Sequence, residues 1–237
     1  MTANAIYCAI DTTDVAAARS LVDRLAGLVG GIKLGLEFFT ANGPAGIRAA
    51  ASGGLPLFLD LKLHDIPNTV AGAVRAMAAL SPTMTTVHAA GGAEMIKAAR
   101  DAAGDAAGRL GLAPPAILAV TVLTSLGQAD LDGLGIAADL LDQVKRLAGI
   151  AQRAGADGVV CSPREVAALR AQCGVDFRLV VPGIRPAWAA ANDQKRVLGP
   201  AQAIAEGADI LVIGRPITAA DDPPAAARRI ADELRDG

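Results

Sequence analysis

The chain has 237 residues, of which 52% are hydrophobic and 3% aromatic, and its formal net charge is -2 at neutral pH. This length suits one α/β barrel over residues 1–237 better than two small domains. The sequence has no basic run and few aromatic residues, so nucleic acid and anionic membranes are not expected as partners. We therefore expect a small-molecule partner.

The cysteines and the amino-terminal sequence indicate in which cellular compartment the protein is found. Three widely spaced cysteines fit neither a disulfide framework nor a structural zinc site. The amino terminus lacks the pattern of a signal peptide, and no apolar stretch approaches the ~18 residues of a membrane span. These features predict a protein of the reducing cytoplasm with no membrane partner.

Short aliphatic runs alternate with alanine-rich amphipathic runs along the whole sequence. Helix-like runs, with clear apolar stripes in residues 15–26 and 140–154, follow each strand-like run. Eight such units predict a closed (β/α)₈ TIM barrel, in which active sites lie at the carboxyl ends of the strands. An open doubly wound sheet is the alternative, but the first strand lacks the glycine-rich turn of that fold. The predicted strands lie near residues 5–11, 31–36, 56–62, 84–88, 116–122, 158–161, 178–182 and 210–214.

Helix ends are marked by acidic residues, prolines and glycines. Asp14 precedes the first helix, and Pro67 and Pro223 stand where the third and the last should begin. Glycines stand where five helices are expected to stop, namely Gly27, Gly104, Gly155, Gly174 and Gly207.

The third predicted strand carries charged side chains at alternate positions of an apolar run. Because side chains alternate along a strand, Asp60, Lys62 and His64 are expected on one face. Burying charge is costly unless the groups pair or act. With Lys33 on the second strand, Asp60 and Lys62 would form an alternating array of charges at the barrel mouth, near Asp11. A structural ion pair is the alternative interpretation of Asp60 and Lys62.

Two arginines follow the last two predicted strands. Arg185 comes after strand seven and Arg215, preceded by Gly214, after strand eight. The loops at these two positions commonly bind phosphate in this fold, because freed backbone N–H groups and a guanidinium suit phosphate oxygens. The pair predicts a phosphorylated ligand.

Other chemistries have weaker support. The two histidines have no companions at metal-ligand spacing, although the spacing of Asp60 and Asp65 alone is compatible with an oxygen-ligated Mg²⁺. Ser162 has no evident base partner, which disfavours nucleophilic hydrolysis. On local grounds, Asp65 is a residue at the start of the third helix.

The segment 60–69, Asp-Leu-Lys-Leu-His-Asp-Ile-Pro-Asn-Thr, closely resembles the signature of the orotidine 5'-phosphate decarboxylase family. Further matching segments occur in the same order at 9–11, 33–35, 120–125, 181–185, 193–197 and 213–217. The resemblance implies conversion of orotidine 5'-monophosphate to UMP and CO₂, the last step of de novo UMP synthesis, without metal or cofactor.

The resemblance also implies roles for individual residues. Lys62 would deliver a proton to C6 of the pyrimidine, Asp60 would lie beside the departing carboxylate, and Lys33 would orient Asp60 and the ribose. Asp65 would reach the site of the neighbouring subunit, which makes a homodimer the catalytic unit. Substrate contacts are further implied for Asp11, Ile66, Thr69, Thr124, Pro182, Arg185, Gln194, Gly214 and Arg215.

Two other functions remain open at this point. A metal-dependent relative with the same Asp-x-Lys-x-x-Asp pattern would act on sugar phosphates through an enediolate held by Mg²⁺. A catalytically silent phosphate-binding barrel would need the arginines, but would not need Lys33, Asp60, Lys62 and Asp65 together.

Overall fold

The structure, a computed structural model, describes residues 3–189 and 198–236. Eight parallel strands follow one another around a closed barrel, and the first strand pairs with the last. This confirms the predicted TIM barrel, and the open-sheet alternative is wrong. The strands are β1 Ile6–Ile10, β2 Gly31–Gly35, β3 Leu57–Leu63, β4 Met84–His88, β5 Ala116–Val120, β6 Gly158–Val160, β7 Arg178–Pro182 and β8 Ile210–Ile213.

Helices connect the strands. In the described part of the chain, each helix is too short or too polar to cross a membrane. The α-helices there are α1 Val15–Leu25, α2 Leu36–Ala51, α3 Pro67–Met77, α4 Gly92–Leu110, α5 Gln128–Gly133, α6 Leu140–Arg153, α7 Val166–Cys173, α8 Pro200–Ala205, α9 Arg215–Thr218 and α10 Pro223–Asp236.

The local signals for helix ends hold with one exception. Asp14 caps α1, because its Oδ1 accepts hydrogen bonds from the backbone N–H groups of Ala16 and Ala17 at 2.8 and 3.0 Å. The predicted stop at Gly104 is wrong, since α4 continues through it and ends before Gly111, where φ is 66°. Buried alanines flank Gly104 on both sides, so the apolar stripe continues and tertiary packing outweighs the glycine.

The hydrophobic core has two parts. One lies between the strands and the surrounding helices, and the other fills the inside of the barrel. Phe58 on β3 belongs to the inner part, and Asp60 lies two residues further along the same strand. The polar side chains of β2 and β3 therefore lie beyond the apolar filling, towards the carboxyl ends of the strands. The buried members of the inner part are Tyr7, Ala9, Phe58, Met84, Ala116, Leu118, Val180 and Val212.

Candidate active site

Three charged side chains from β2 and β3 meet at the barrel mouth. The Asp60 Oδ2 atom lies 2.7 Å from Lys62 Nζ and 3.5 Å from Lys33 Nζ. Lys33 Nζ also lies 3.9 Å from Asp11 Oδ1 at the end of β1. The side chain of Asp60 is 9% exposed, whereas that of Asp11 is 62% exposed. The structure thus brings together the array that the sequence predicts.

The surroundings of Asp60 keep its carboxyl ionised. Burial by itself would raise the pKa of Asp60, but the positive charges of Lys33 and Lys62 oppose it. Hydrogen bonds from Lys62 and from Thr86 on β4 act in the same direction as the lysines. The pKa of Asp60 is therefore below its ordinary value, and a fixed negative charge faces the mouth.

Thr86 is a site residue that no charge pattern or motif in the sequence indicates. Its hydroxyl donates to Asp60 Oδ1 at 2.9 Å and accepts from the backbone N–H of Lys62 at 2.8 Å. Its place in a β-branched run on β4 is typical of any buried strand. Only the pairing of β4 with β3 brings Thr86 to the charged strand.

The backbone of β3 departs from regular strand geometry at Lys62. Lys62 has a φ of 50°, in the left-handed region, and the register against β4 shifts between Leu59 and Leu63. The simple alternation that predicts Asp60, Lys62 and His64 on one face therefore does not continue unbroken to His64. A non-glycine residue in this region is strained by about 1–3 kcal/mol, and such strain is often found at functional sites.

His64 and His88 stack beside this irregularity. Their ring centroids are 5.2 Å apart, and the planes are inclined by 30°. The pKa of His88 is below its ordinary value because the ring is buried, and the charges of His64 and Lys62 lower it further. Burial therefore disfavours the charged form of the His88 imidazole.

A cavity of about 200 Å³ opens over the charged array. Thr124 and Pro182, both predicted to contact substrate, line it together with the array. The remaining wall is largely apolar, so the cavity combines a charged edge with a surface suited to a flat ring. The lining residues are Lys33, Phe58, Asp60, Lys62, Val120, Val122, Leu123, Thr124, Val160, Pro182 and Val212.

A second cavity of about 250 Å³ lies where the phosphate site was predicted. Arg185 and Arg215 both line it, together with Trp188, Ala189, Pro216, Ala219 and Ala220. Arg185 is only 9% exposed, and its backbone N–H donates to the carbonyl of Leu198 at 3.0 Å. The barrel therefore places two arginines in the lining of one pocket.

The carboxyl ends of β1 and β8 are neighbours at this face of the barrel. A Cβ atom added to Gly214, after β8, would lie 3.5 Å from Asp11 Oδ2 and 3.5 Å from Ala9 Cβ. This closeness follows from the pairing of β1 with β8. Asp11, which is predicted to bind the ribose, and Gly214, which is predicted to bind the phosphate, are therefore neighbours.

The start of α3 is not part of either cavity. Asp65, Ile66 and Thr69 are exposed there and do not line the cavities described above. The Asp65 carboxylate accepts a hydrogen bond from the backbone N–H of Ile66 at 2.7 Å, which matches its interpretation as a residue at the helix start. Gln194 lies outside the described residues.

Among the described residues there is neither a cluster of metal ligands nor an exposed thiol. Within residues 3–189 and 198–236, no group of three or more His, Cys, Asp or Glu side chains is arranged to hold a metal ion. Cys8, Cys161 and Cys173 are free and buried. Burial, followed by the charge of Asp11, raises the pKa of the Cys8 thiol to about 12.

Comparison with known proteins identifies the family. Residues 4–230 match the family model described as "Orotidine 5'-phosphate decarboxylase / HUMPS family". The chain belongs to this family.

Relatives within the family are similar over nearly the full chain. A Paramagnetospirillum magneticum protein named orotidine 5'-phosphate decarboxylase is 64% identical over 231 residues, which is 98% of each chain. A Rhodospirillum rubrum protein of the same name is 60% identical, covering 99% of this chain and 95% of the relative. The crystal structure of orotidine 5'-phosphate decarboxylase from Lactobacillus acidophilus matches with a TM-score of 0.82 and 39% identity, covering 97% and 98%.

Proposed function

We infer that the protein converts orotidine 5'-monophosphate to UMP and CO₂, the last step of de novo UMP synthesis. The observation that carries this is the Lys33–Asp60–Lys62 array at the edge of a cavity, next to a pocket with two arginines. The identity of 64% to a relative named for this activity supports it. We further propose that residues 1–237 act as one catalytic domain in the cytoplasm, without metal or cofactor.

In the proposed mechanism, Lys62 is the acid. The bond between C6 and the carboxylate breaks, CO₂ leaves, and the electron pair stays on C6. Lys62 Nζ then gives a proton to C6, and solvent returns a proton to the amine. The Lys62 ammonium is fixed beside Asp60 before the reaction starts, so it stabilises the charge that develops on C6.

Asp60 contributes by disfavouring the ground state. Its buried carboxylate would face the carboxylate of the substrate, and this repulsion disappears when neutral CO₂ leaves. Lys33, in contact with both Asp60 and Asp11, would hold Asp60 in place and orient the ribose. Asp11 would bind the ribose hydroxyls.

The remaining substrate contacts are proposed from the residues that line the two cavities. Thr124 and Pro182 line the cavity over the array and would contact the base. Arg185 and Arg215 would bind the phosphate, with the backbone at Gly214 and with Gln194. Binding energy from this non-reacting phosphate can offset the cost of organising and desolvating the reacting end.

We also propose a homodimer in which Asp65 completes the site of the partner, with Ile66 and Thr69 beside it at the start of α3. All three are exposed at the start of α3, where Ile66, a large apolar side chain, is 67% exposed. An exposed apolar side chain beside an exposed carboxylate fits a contact that is apolar in part and reaches a polar site.

The test is the change in ultraviolet absorbance when purified protein is mixed with orotidine 5'-monophosphate, with and without EDTA. We expect conversion to UMP that EDTA does not affect. Conversion lost with EDTA would favour the metal-dependent sugar-phosphate chemistry, and no conversion would favour a silent phosphate-binding barrel.

Lys62→Ala separates the chemical step from ligand binding. This variant should lose decarboxylation while it still binds UMP measurably by calorimetry, because the phosphate and base contacts remain. Activity equal to that of the wild type would exclude Lys62 as the proton donor.

A further inference from the structure

Trp188 forms one wall of the pocket that contains Arg185 and Arg215. It follows Arg185 by three residues and is the only tryptophan in the chain. Its ring is partly buried against the core, and its buried indole N–H has no hydrogen-bond partner among the described residues. In this structure the ring face, rather than the indole N–H, therefore makes the polar contact of Trp188.

That face is covered by a charge from the last helix. The Arg229 guanidinium carbon of α10 lies 4.5 Å from the centre of the Trp188 ring. A cation at this distance is attracted by the electron-rich face, and tryptophan is the strongest such partner. The contact ties the chain just after Arg185 to a helix on the outside of the barrel.

A carboxylate on the same helix also acts on the charge of Arg229. Glu233 lies one turn after Arg229 on α10, and its carboxylate Oε1 would lie 3.7 Å from a Cβ atom added to Gly199. Burial raises the pKa of Glu233, and the charge of Arg229 opposes this rise. The positive charge of Arg229 is therefore attracted both by the face of the Trp188 ring and by the Glu233 carboxylate.

We propose that Trp188, held by Arg229, is a positioning residue for the phosphate of the nucleotide. It fixes the pocket wall from which Arg185 extends, so that Arg185 and Arg215 stay close enough to bind one phosphate group. This inference rests on the proposed function, because it takes the two arginines as the phosphate site. It assigns to α10, on the outside of the barrel, a part in phosphate recognition.

The test compares ligands that differ only in the phosphate. Inhibition constants of UMP and uridine are measured for the wild type, Arg229→Gln and Trp188→Leu, with Trp188→Phe as the conservative variant. Arg228→Gln is the matched control, because Arg228 is also exposed on α10. Thermal unfolding of each variant shows whether it is folded.

The preference for UMP over uridine should fall about threefold in Arg229→Gln, the size expected for an exposed cation–π contact. In Trp188→Leu it should fall about tenfold, because the aromatic wall is lost as well. Trp188→Phe should regain part of that loss, and Arg228→Gln should match the wild type. An unchanged preference in Arg229→Gln, or equal weakening of both ligands, would overturn the inference.

A second measurement does not depend on catalysis. The fluorescence of Trp188 should change on titration with inorganic phosphate in the wild type and should not change in Arg215→Ala. No change in the wild type would overturn the inference even if the protein decarboxylates its substrate. A change in a protein that fails to decarboxylate would leave the inference standing while the proposed function fails.

Discussion

Thr86 joins the charged array to the backbone of the barrel. One hydroxyl group contacts both the Asp60 carboxylate and the backbone N–H of Lys62. It therefore fixes the position of a buried charge and supports the strained conformation of the residue that would act as the acid. A small uncharged side chain can thus influence the chemistry without touching the reacting atoms.

Thr86→Val should lower kcat about tenfold, which corresponds to about 1.4 kcal/mol. It should also lower the free energy of unfolding by about 1–3 kcal/mol, because the Lys62 N–H loses its acceptor. Steady-state kinetics and urea unfolding measure the two effects.

Thr85→Val is the matched control for this variant. Thr85 is also buried on β4, but its hydroxyl donates to the carbonyl of Leu59 at 2.9 Å. This variant should lose stability and keep its kcat. Equal loss of kcat in both variants would show that Thr86 has no special role in the array.

The charge of Asp60 should be visible in the stability of the protein at low pH. The folded-state pKa of Asp60 is lowered, so its contribution to stability is complete above the unfolded-state pKa of about 3.9. That contribution is lost as the pH falls through the folded-state value. Urea unfolding from pH 6 to pH 2.5 should show a steeper fall below pH ~4 in the wild type than in Asp60→Asn. Parallel curves would contradict the lowered pKa.

At the scale of the elements, the sequence predicts the regular parts well. Buried aliphatic runs and amphipathic stripes place all eight strands within a few residues, because burial imposes those patterns directly. Lys33, Asp60 and Lys62 could also be found, because charge in a buried strand is conspicuous. The left-handed turn at Lys62 could not be predicted, since it depends on the register with β4 and the contact with Thr86.

Helix α4 shows the limit of reading glycines as stops. Gly104 lies inside the helix, whereas Gly111 follows its last residue. Both are glycines in alanine-rich sequence, so the residue type alone does not distinguish them. The difference lies in the backbone, because only Gly111 has a positive φ. Whether a glycine ends a helix thus depends on whether the buried apolar face of the helix continues beyond it. The glycine alone does not show this.

This difference predicts opposite effects of two alanine substitutions. A Cβ atom at Gly104 meets nothing within 4 Å, so Gly104→Ala should stabilise the protein by about 0.5–1 kcal/mol. Gly111→Ala should destabilise it by about 1 kcal/mol, because its φ of 66° is unfavourable for alanine. Urea unfolding measures both, and the same sign for the two variants would contradict the assignment of the helix end.

At the scale of the whole molecule, the proposed dimer would bring Asp65 of one chain to the active site of the other. The local pattern around Asp65 and Pro67 predicts a helix start, and the structure of one chain agrees. A role across an interface leaves no trace in local sequence patterns. The family resemblance suggests it, and the exposure of Asp65 and Ile66 in the structure supports it.

Complementation tests the shared site directly. Lys62→Ala and Asp65→Ala should each be nearly inactive. If Asp65 serves the partner, mixing equal amounts after reversible dissociation should restore about a quarter of the wild-type activity, because half of the dimers are mixed and each has one intact site. No recovery, with mixed dimers shown by native mass spectrometry, would place Asp65 in its own subunit's site.

The pairing of β1 with β8 has a consequence for synthesis on the ribosome. The charged array is complete once β3 has been made, but Arg185 and Arg215 emerge only with the last third of the chain. Until β8 is present, β1 and β7 are open edges that can pair with other chains, and Asp11 has no Gly214 beside it. A nascent or truncated chain that ends before residue 210 therefore has Lys62, Asp60 and Arg185 but lacks Gly214 and Arg215. The proposed phosphate pocket is therefore complete only in a finished barrel.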